Sequence, residues 1–254
     1  MNLRVPGPTP LPPSVIRAVG QPMIGHRTDT FRCLMRSLEA PLRTVFGTVG
    51  DVLILTGSGT GGLEAAITNL MSPGDLAAAV SIGTFGKRFA CIAEAFGVKV
   101  RRLEYPSGAA AEPEEVAVAL RTMPGVKTLL LTHNETMTGV ANDVRAIIAA
   151  ARQAQPELCV VVDGVSSVGA MPMLADEWGC DVVITASQKG LMAPPGLSLI
   201  SVNGRAWEAV AQSRMPRYYW DLQEARRLAE QGETPFTPAV SGLRGLQAGL
   251  IVRE

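Results

Sequence analysis

An α/β fold, with a mostly parallel sheet covered by helices on both faces, is what this 254-residue sequence predicts. Short β-rich runs alternate with longer segments whose apolar residues recur at helical spacing, the pattern of strand–helix–strand crossovers. Runs such as "VKTLLLT" at 126–132 are almost continuously apolar, as strands buried on both faces are. With 47% hydrophobic and 18% charged residues, the chain has the material for a large core.

In chain order, the opening residues 1–15 read as a short N-terminal arm, and "TFRCLMRSLEAPLRTVFG" at 30–47 as a helix interrupted by Pro41. Strands are expected at 51–56, 76–81, 98–103, 126–132, 158–163, 181–186 and 197–202. Between them "GLEAAITNLM", "FGKRFACIAEAFG", "EPEEVAVALRTM", "VRAIIAAARQAQ" and "MLADEWG" carry helical periodicity. "RAWEAVAQS" and "WDLQEARRLAEQG" follow as amphipathic helices. "SGLRGLQAGLIVRE" places Leu243, Leu246, Leu250 and Ile251 on one helical face and stops without a capping glycine or polar tail, as a chain cut short does. No repeat or linker divides the chain, so residues 1–254 are expected to form one domain.

Lysine plus arginine and aspartate plus glutamate both number 23, which gives no electrostatic reason for a nucleic-acid or membrane partner. Small-molecule chemistry is the expectation instead. Cys33, Cys91, Cys159 and Cys180 form no C-x-x-C pair, so neither a metal site nor a disulfide framework is expected. The start has no signal-peptide pattern and no segment reaches about 18 uninterrupted apolar residues, from which a cytoplasmic protein is expected.

"DVLILTGSGTGGLEAA" has the order strand, glycine loop, helix, and Gly57, Gly59 and Gly62 match G-x-G-x-x-G. The dinucleotide-binding version also needs an acid at the end of the next strand, where Val80, Ser81, Ile82 and Gly83 stand instead. Nucleoside triphosphate loops need Gly-Lys-Ser/Thr, and here Gly62 is followed by Leu63 and Glu64. Two readings stay open: a seat for a phosphate on free backbone N–H groups, aided by Ser58 and Thr60, or a tight turn that uses glycine for its backbone freedom.

Asp163 ends the apolar run "CVVVD", and in a parallel sheet the carboxyl ends of strands face the ligand crevice. A turn-forming aspartate is the plainer alternative. Lys189 stands just beyond the next strand in "ASQKGLM", among uncharged neighbours. A lysine in such a desolvated place has a lowered pKa and a nucleophilic amine, as Schiff-base formation requires. A phosphate seat, an aspartate and a lysine on successive strand ends together match what pyridoxal 5'-phosphate needs.

At these residues the sequence resembles the class V aminotransferases of fold type I, in particular their alanine–glyoxylate and serine–pyruvate branch. The resemblance runs through "PGPTPLPPSV", "MIGHRTDTF", "GSGTGGLEA", "GTFGKRF", "THNETMTGV", "VVVDGVSSVG", "SQKGLMAPPG" and "TPFTPAVS". It implies a three-layer large domain that binds pyridoxal 5'-phosphate, with a small C-terminal domain missing from this chain. It further implies that Lys189 carries the cofactor and Asp163 partners its ring nitrogen. Ser58, Gly59, Thr60 and Gln188 would hold the phosphate, Phe85 would stack on the ring, and Thr136 would reach the cofactor with its hydroxyl. Thr237 would contact the neighbouring subunit's phosphate in a homodimer, and Gly7 would lie near the substrate carboxylate. His133 and His26 receive no catalytic role. The implied reaction moves an amino group from serine or alanine to glyoxylate or pyruvate, so the partners are a small amino acid and a 2-oxo acid. Alternatives are a lyase, a phosphonate or ureido-donor transaminase, a nicotinamide-dependent oxidoreductase and an inactive fragment.

Overall fold

The strand–helix alternation becomes one seven-stranded sheet between two layers of helices in the computed structural model, which describes residues 3–252. Along the chain come α1 (Pro13–Val19), α2 (Asp29–Phe46), β1 (Asp51–Thr56), α3 (Gly59–Leu70), β2 (Leu76–Ser81), α4 (Thr84–Ala95), β3 (Lys99–Glu104), α5 (Pro113–Arg121) and β4 (Val126–Thr132). A small hairpin, β5 (Asn134–Glu135) and β6 (Val140–Ala141), precedes α6 (Val144–Ala154), β7 (Cys159–Asp163), α7 (Ala175–Trp178) and β8 (Val182–Ala186). Then follow β9 (Leu197–Val202), α8 (Gly204–Gln212), α9 (Leu222–Ala229) and α10 (Val240–Ile251).

The sheet order is β1-β9-β8-β7-β4-β2-β3. Strands β8, β7, β4, β2 and β3 pair parallel, whereas β9 runs antiparallel to both β1 and β8. The link from β8 to β9 has no crossover helix, and two neighbouring strands joined without one pair antiparallel. That link, residues 187–196, contains Lys189.

Alternate residues of each strand serve opposite layers. Leu129 and Leu131 face a core shared with α2, α5, α6 and α10, while Leu130 faces the core shared with α3, α4, α8 and α9. The central strands β2, β4, β7, β8 and β9 are buried on both sides, which is why their sequences show little polar alternation, whereas the edge strand β3, KVRRLE, keeps most of its residues exposed.

Two differences from the sequence reading have clear causes. Helix α2 runs unbroken through Pro41, because it buries Phe31, Leu34, Met35, Leu38, Leu42 and Phe46 along one face. Burial of that face, at about 1.5–3 kcal/mol per large side chain, outweighs a proline cost of about 3 kcal/mol. The arm at 1–15 gives way to α1 at Pro13, a residue whose fixed φ suits the first helical position and whose missing N–H costs nothing there. No helix among the described residues is long and apolar enough to cross a membrane.

Candidate active site

The carboxyl ends of β4, β7 and β8 and the N-termini of α3 and α4 converge on a cavity of about 190 Å³. Its walls include Ser58, Gly59, Thr60, Phe85, Thr136, Asp163, Gln188 and Lys189, so eight positions singled out in the sequence meet in one place. A larger cavity of about 490 Å³ lies between α2, the 169–174 segment and α10, but no titratable side chain lines it. Chemistry rather than volume distinguishes the smaller one.

Asp163 closes β7 opposite Thr132 of β4 and is 4% exposed. Its Oδ1 accepts a hydrogen bond from the Val165 N–H at 3.0 Å. Burial pushes its carboxyl up to about 6, and the charge of Glu135 adds to the rise; the Val165 N–H, Arg88 and Lys189 act in the opposite sense.

Lys189 stands in the β8–β9 link, where its Nζ donates to the Pro6 carbonyl at 3.0 Å. Desolvation holds this amine below the ordinary lysine pKa, against the pull of Asp163. The Thr9 N–H donates to Gln188 O at 3.0 Å, so the chain before α1 crosses directly over the lysine. Gly7 makes this crossing possible: its φ is +133°, and a Cβ there would lie 2.7 Å from Lys189 Cδ. Just past the lysine, Met192 holds a φ of 53° and donates its N–H to Lys189 O at 3.0 Å. A non-glycine residue in the left-handed region is a local cost borne three residues from Lys189.

The glycine loop takes the form of a helix start. Ser58 caps α3, its Oγ accepting from the Gly61 N–H at 3.4 Å, and Ser58, Gly59 and Thr60 at this helix start line the cavity. A Cβ at Gly62 would fall 2.0 Å from Ser198 Oγ, so this glycine lets α3 lie against the sheet. Phe85 sits in the first turn of α4 with its N–H donating to Glu135 Oε2 at 2.9 Å, and the Arg88 guanidinium lies 4.8 Å from the Phe85 ring centroid.

Thr136 occupies the turn of the β5–β6 hairpin, an element the sequence reading did not include. Beside it Asn134 Nδ2 donates to Ser166 Oγ at 2.9 Å, and Ser166 Oγ donates to Asn134 O. Arg88, Asn134, Val165 and Ser166 line the cavity without having been anticipated. A signal existed for Arg88, which stands three residues after Phe85 on one helical face. None existed for Asn134 and Ser166, which meet only through the hairpin.

Gly7 touches Lys189 but does not line the cavity, and Thr237 is exposed and outside it. Thr237 follows Phe236, whose ring stacks on Tyr219 at 4.9 Å and 10°. His133 is buried, its imidazole held below the usual pKa by desolvation, with its ring edge-on to Trp178 at 5.7 Å. Its backbone N–H donates to Asp163 O at 2.9 Å.

The cavity thus joins a helix N-terminus for an anion, an aromatic face for a flat ring, a buried carboxylate for a cation and an amine for a carbonyl carbon. Gln188 Oε1, buried with no hydrogen-bond partner among the described residues, adds an acceptor ready for a donor. This set fits pyridoxal 5'-phosphate.

The sequence profile of the family described as Aminotransferase class-V matches residues 2–250. The chain is 40% identical over 251 residues to a protein named "Soluble hydrogenase, small subunit" from Synechococcus sp., covering 98% of this chain and 65% of that one. It is 36% identical over 257 residues to a serine–glyoxylate aminotransferase of Methylorubrum extorquens, covering 98% and 64%. Its fold matches the crystal structure of a subgroup IV aspartate aminotransferase from Thermus thermophilus with a TM-score of 0.93 and 37% identity, over 99% of this chain and 70% of that one.

Proposed function

Because the chain belongs to the class V aminotransferases, whose cofactor is pyridoxal 5'-phosphate, we propose that it takes part in transfer of an amino group from serine or alanine to glyoxylate or pyruvate. The observation that carries this reading is the single cavity shared by Lys189, Asp163 and the N-terminus of α3. A glyoxylate acceptor is favoured by the name of the 36%-identical serine–glyoxylate enzyme.

Bound there, the cofactor supplies an aldehyde that condenses with amines and a ring that accepts an electron pair from the substrate α-carbon. On this reading Ser58, Gly59 and Thr60 seat the phosphate, with Gln188 beside them. Phe85 supports the ring and excludes water from one side of it. Asp163 would pair with the ring nitrogen and favour its protonated form, and such a cation would in turn favour the carboxylate that burial disfavours. Lys189 Nζ would take up a proton from the substrate α-carbon and hold it for return, a role toward which desolvation shifts the amine by favouring its neutral form. Gly7 leaves the space in which that amine turns away from Pro6.

The reading includes a homodimer. Trp220 packs against Gly57 and Gly61 at the α3 N-terminus and carries with it Tyr219, Phe236 and the exposed Tyr218 and Thr237, the face on which a second copy would bring Thr237 toward the phosphate.

Borohydride reduction of the cofactor-loaded protein followed by peptide mass spectrometry is the test. A pyridoxyl mass on the Lys189 peptide, absent in Lys189→Ala, is the expected result; an adduct on another lysine refutes the assignment. A panel of amino donors with glyoxylate then separates the substrates, since serine or alanine must yield glycine, and failure of both removes them as donors.

A further inference from the structure

Glu135 is a second buried carboxylate, and its charge raises the pKa of Asp163. Its residue is 0% exposed. Its Oε2 accepts from the Phe85 N–H at 2.9 Å and its Oε1 from the Met137 N–H at 3.2 Å. Among the described residues no cation lies within ion-pair distance of it. Gly83 is shaped around it: its φ of 164° is extended backbone open to any residue, but a Cβ there would lie 2.6 Å from Glu135 Cδ. Burying a carboxylate on two backbone N–H groups is costly, and an uncharged side chain of the same size would fill the place with less desolvation. The charge therefore calls for a use.

We propose that Glu135 is a positioning residue of the cofactor seat: its carboxylate fixes the turn that presents Phe85, and its negative charge joins that of Asp163 in favouring a cationic ring in the cavity. The proposal rests on the reading of this cavity as a pyridoxal phosphate seat. Phe85 and Thr136, one on each side of Glu135, both line the cavity, so one side chain ties the α4 turn to the hairpin turn. The charged groups facing Asp163 are Glu135 from the hairpin, Arg88 from α4 and Lys189 from the β8–β9 link; His133, at the end of β4, meets it through a backbone N–H. Of the charges, Glu135 alone raises the Asp163 carboxyl, while Arg88 and Lys189 lower it. Neutralising Glu135 must then let Asp163 ionise at lower pH.

The test uses the full chain with Glu135→Gln and Gly83→Ala, titrated with pyridoxal 5'-phosphate by absorbance across the acid-to-neutral range, with thermal unfolding of the unloaded proteins alongside. Glu135→Gln is expected to bind the cofactor about tenfold more weakly at about pH 8, the effect of losing one charge-assisted hydrogen bond. At the same time the acid limb of its binding profile is expected to move to lower pH. Gly83→Ala displaces the carboxylate without removing its charge, so affinity falls while the acid limb stays where it is. Wild-type affinity with an unmoved limb in Glu135→Gln overturns the proposal. Weaker binding with an unmoved limb and a matching loss of thermal stability also overturns it, because a purely structural role does that. Should Glu135→Gln not fold, Gly83→Ala decides, and unchanged affinity there overturns the positioning role. If the wild-type protein itself fails to bind the cofactor, the seat reading fails; wild-type binding with unchanged variants removes Glu135 alone.

Discussion

Asp163 gives the clearest conflict between stability and chemistry at the level of one residue. Its carboxyl stands at about 6 rather than the ordinary 3.8, chiefly through burial. An acid with a raised folded-state pKa contributes stability that is complete below the unfolded value and is lost as pH rises through the folded one. In the unloaded protein the ionised group therefore costs up to about 3 kcal/mol above that window. Asp163→Asn keeps an acceptor for the Val165 N–H and removes this cost. The unloaded variant is expected to melt roughly 3–8 °C higher than wild type at about pH 8, with the gain vanishing below about pH 4. Calorimetry at the two pH values checks this, and a lower melting temperature at the higher pH would show that the carboxylate is not paid for in stability. The placement of Asp163 and Lys189 was legible because one ends and the other closely follows an apolar strand, at the carboxyl edge of the sheet. Glu135 was not, since a glutamate flanked by Asn134 and Thr136 looks in sequence like any polar turn residue.

At the level of elements, the contacts of α3 with the sheet explain why a glycine-rich loop is also a packing device. Gly62→Ala places a Cβ 2.0 Å from Ser198 Oγ and 2.8 Å from Ile184 Cγ2, both on buried strands. A loss of about 1–3 kcal/mol is expected, read as a lower denaturation midpoint. Gly204, at the start of α8, has nothing within 4 Å of such a Cβ, so Gly204→Ala is expected to stabilise by about 0.5–1 kcal/mol. Equal effects at the two positions would contradict the packing account. The central strands were legible almost residue for residue because burial on both faces makes them short apolar runs bounded by polar turns. The β5–β6 hairpin was not, since two paired residues per strand leave no periodicity to read.

For the molecule as a whole, ligand binding couples to folding because the cavity draws on residues from 58 to 189. A cofactor that binds only this assembled arrangement stabilises it by mass action, about 2.7 kcal/mol at roughly a hundredfold excess over Kd. The melting temperature is expected to rise by roughly 5–10 °C in saturating pyridoxal 5'-phosphate and to keep climbing with concentration. In Lys189→Ala the rise is expected to shrink, and an undiminished rise would place the cofactor elsewhere. What the sequence alone determined is the succession of strands and helices and the residue types at the strand ends, because hydrophobic period and turn chemistry are local properties. Only the tertiary structure decided that β9 runs against its neighbours, that Gly7 clears the space around Lys189, and that Arg88, Asn134 and Ser166 share the cavity with Asp163. Those facts depend on contacts between segments far apart in the chain, which no local pattern encodes.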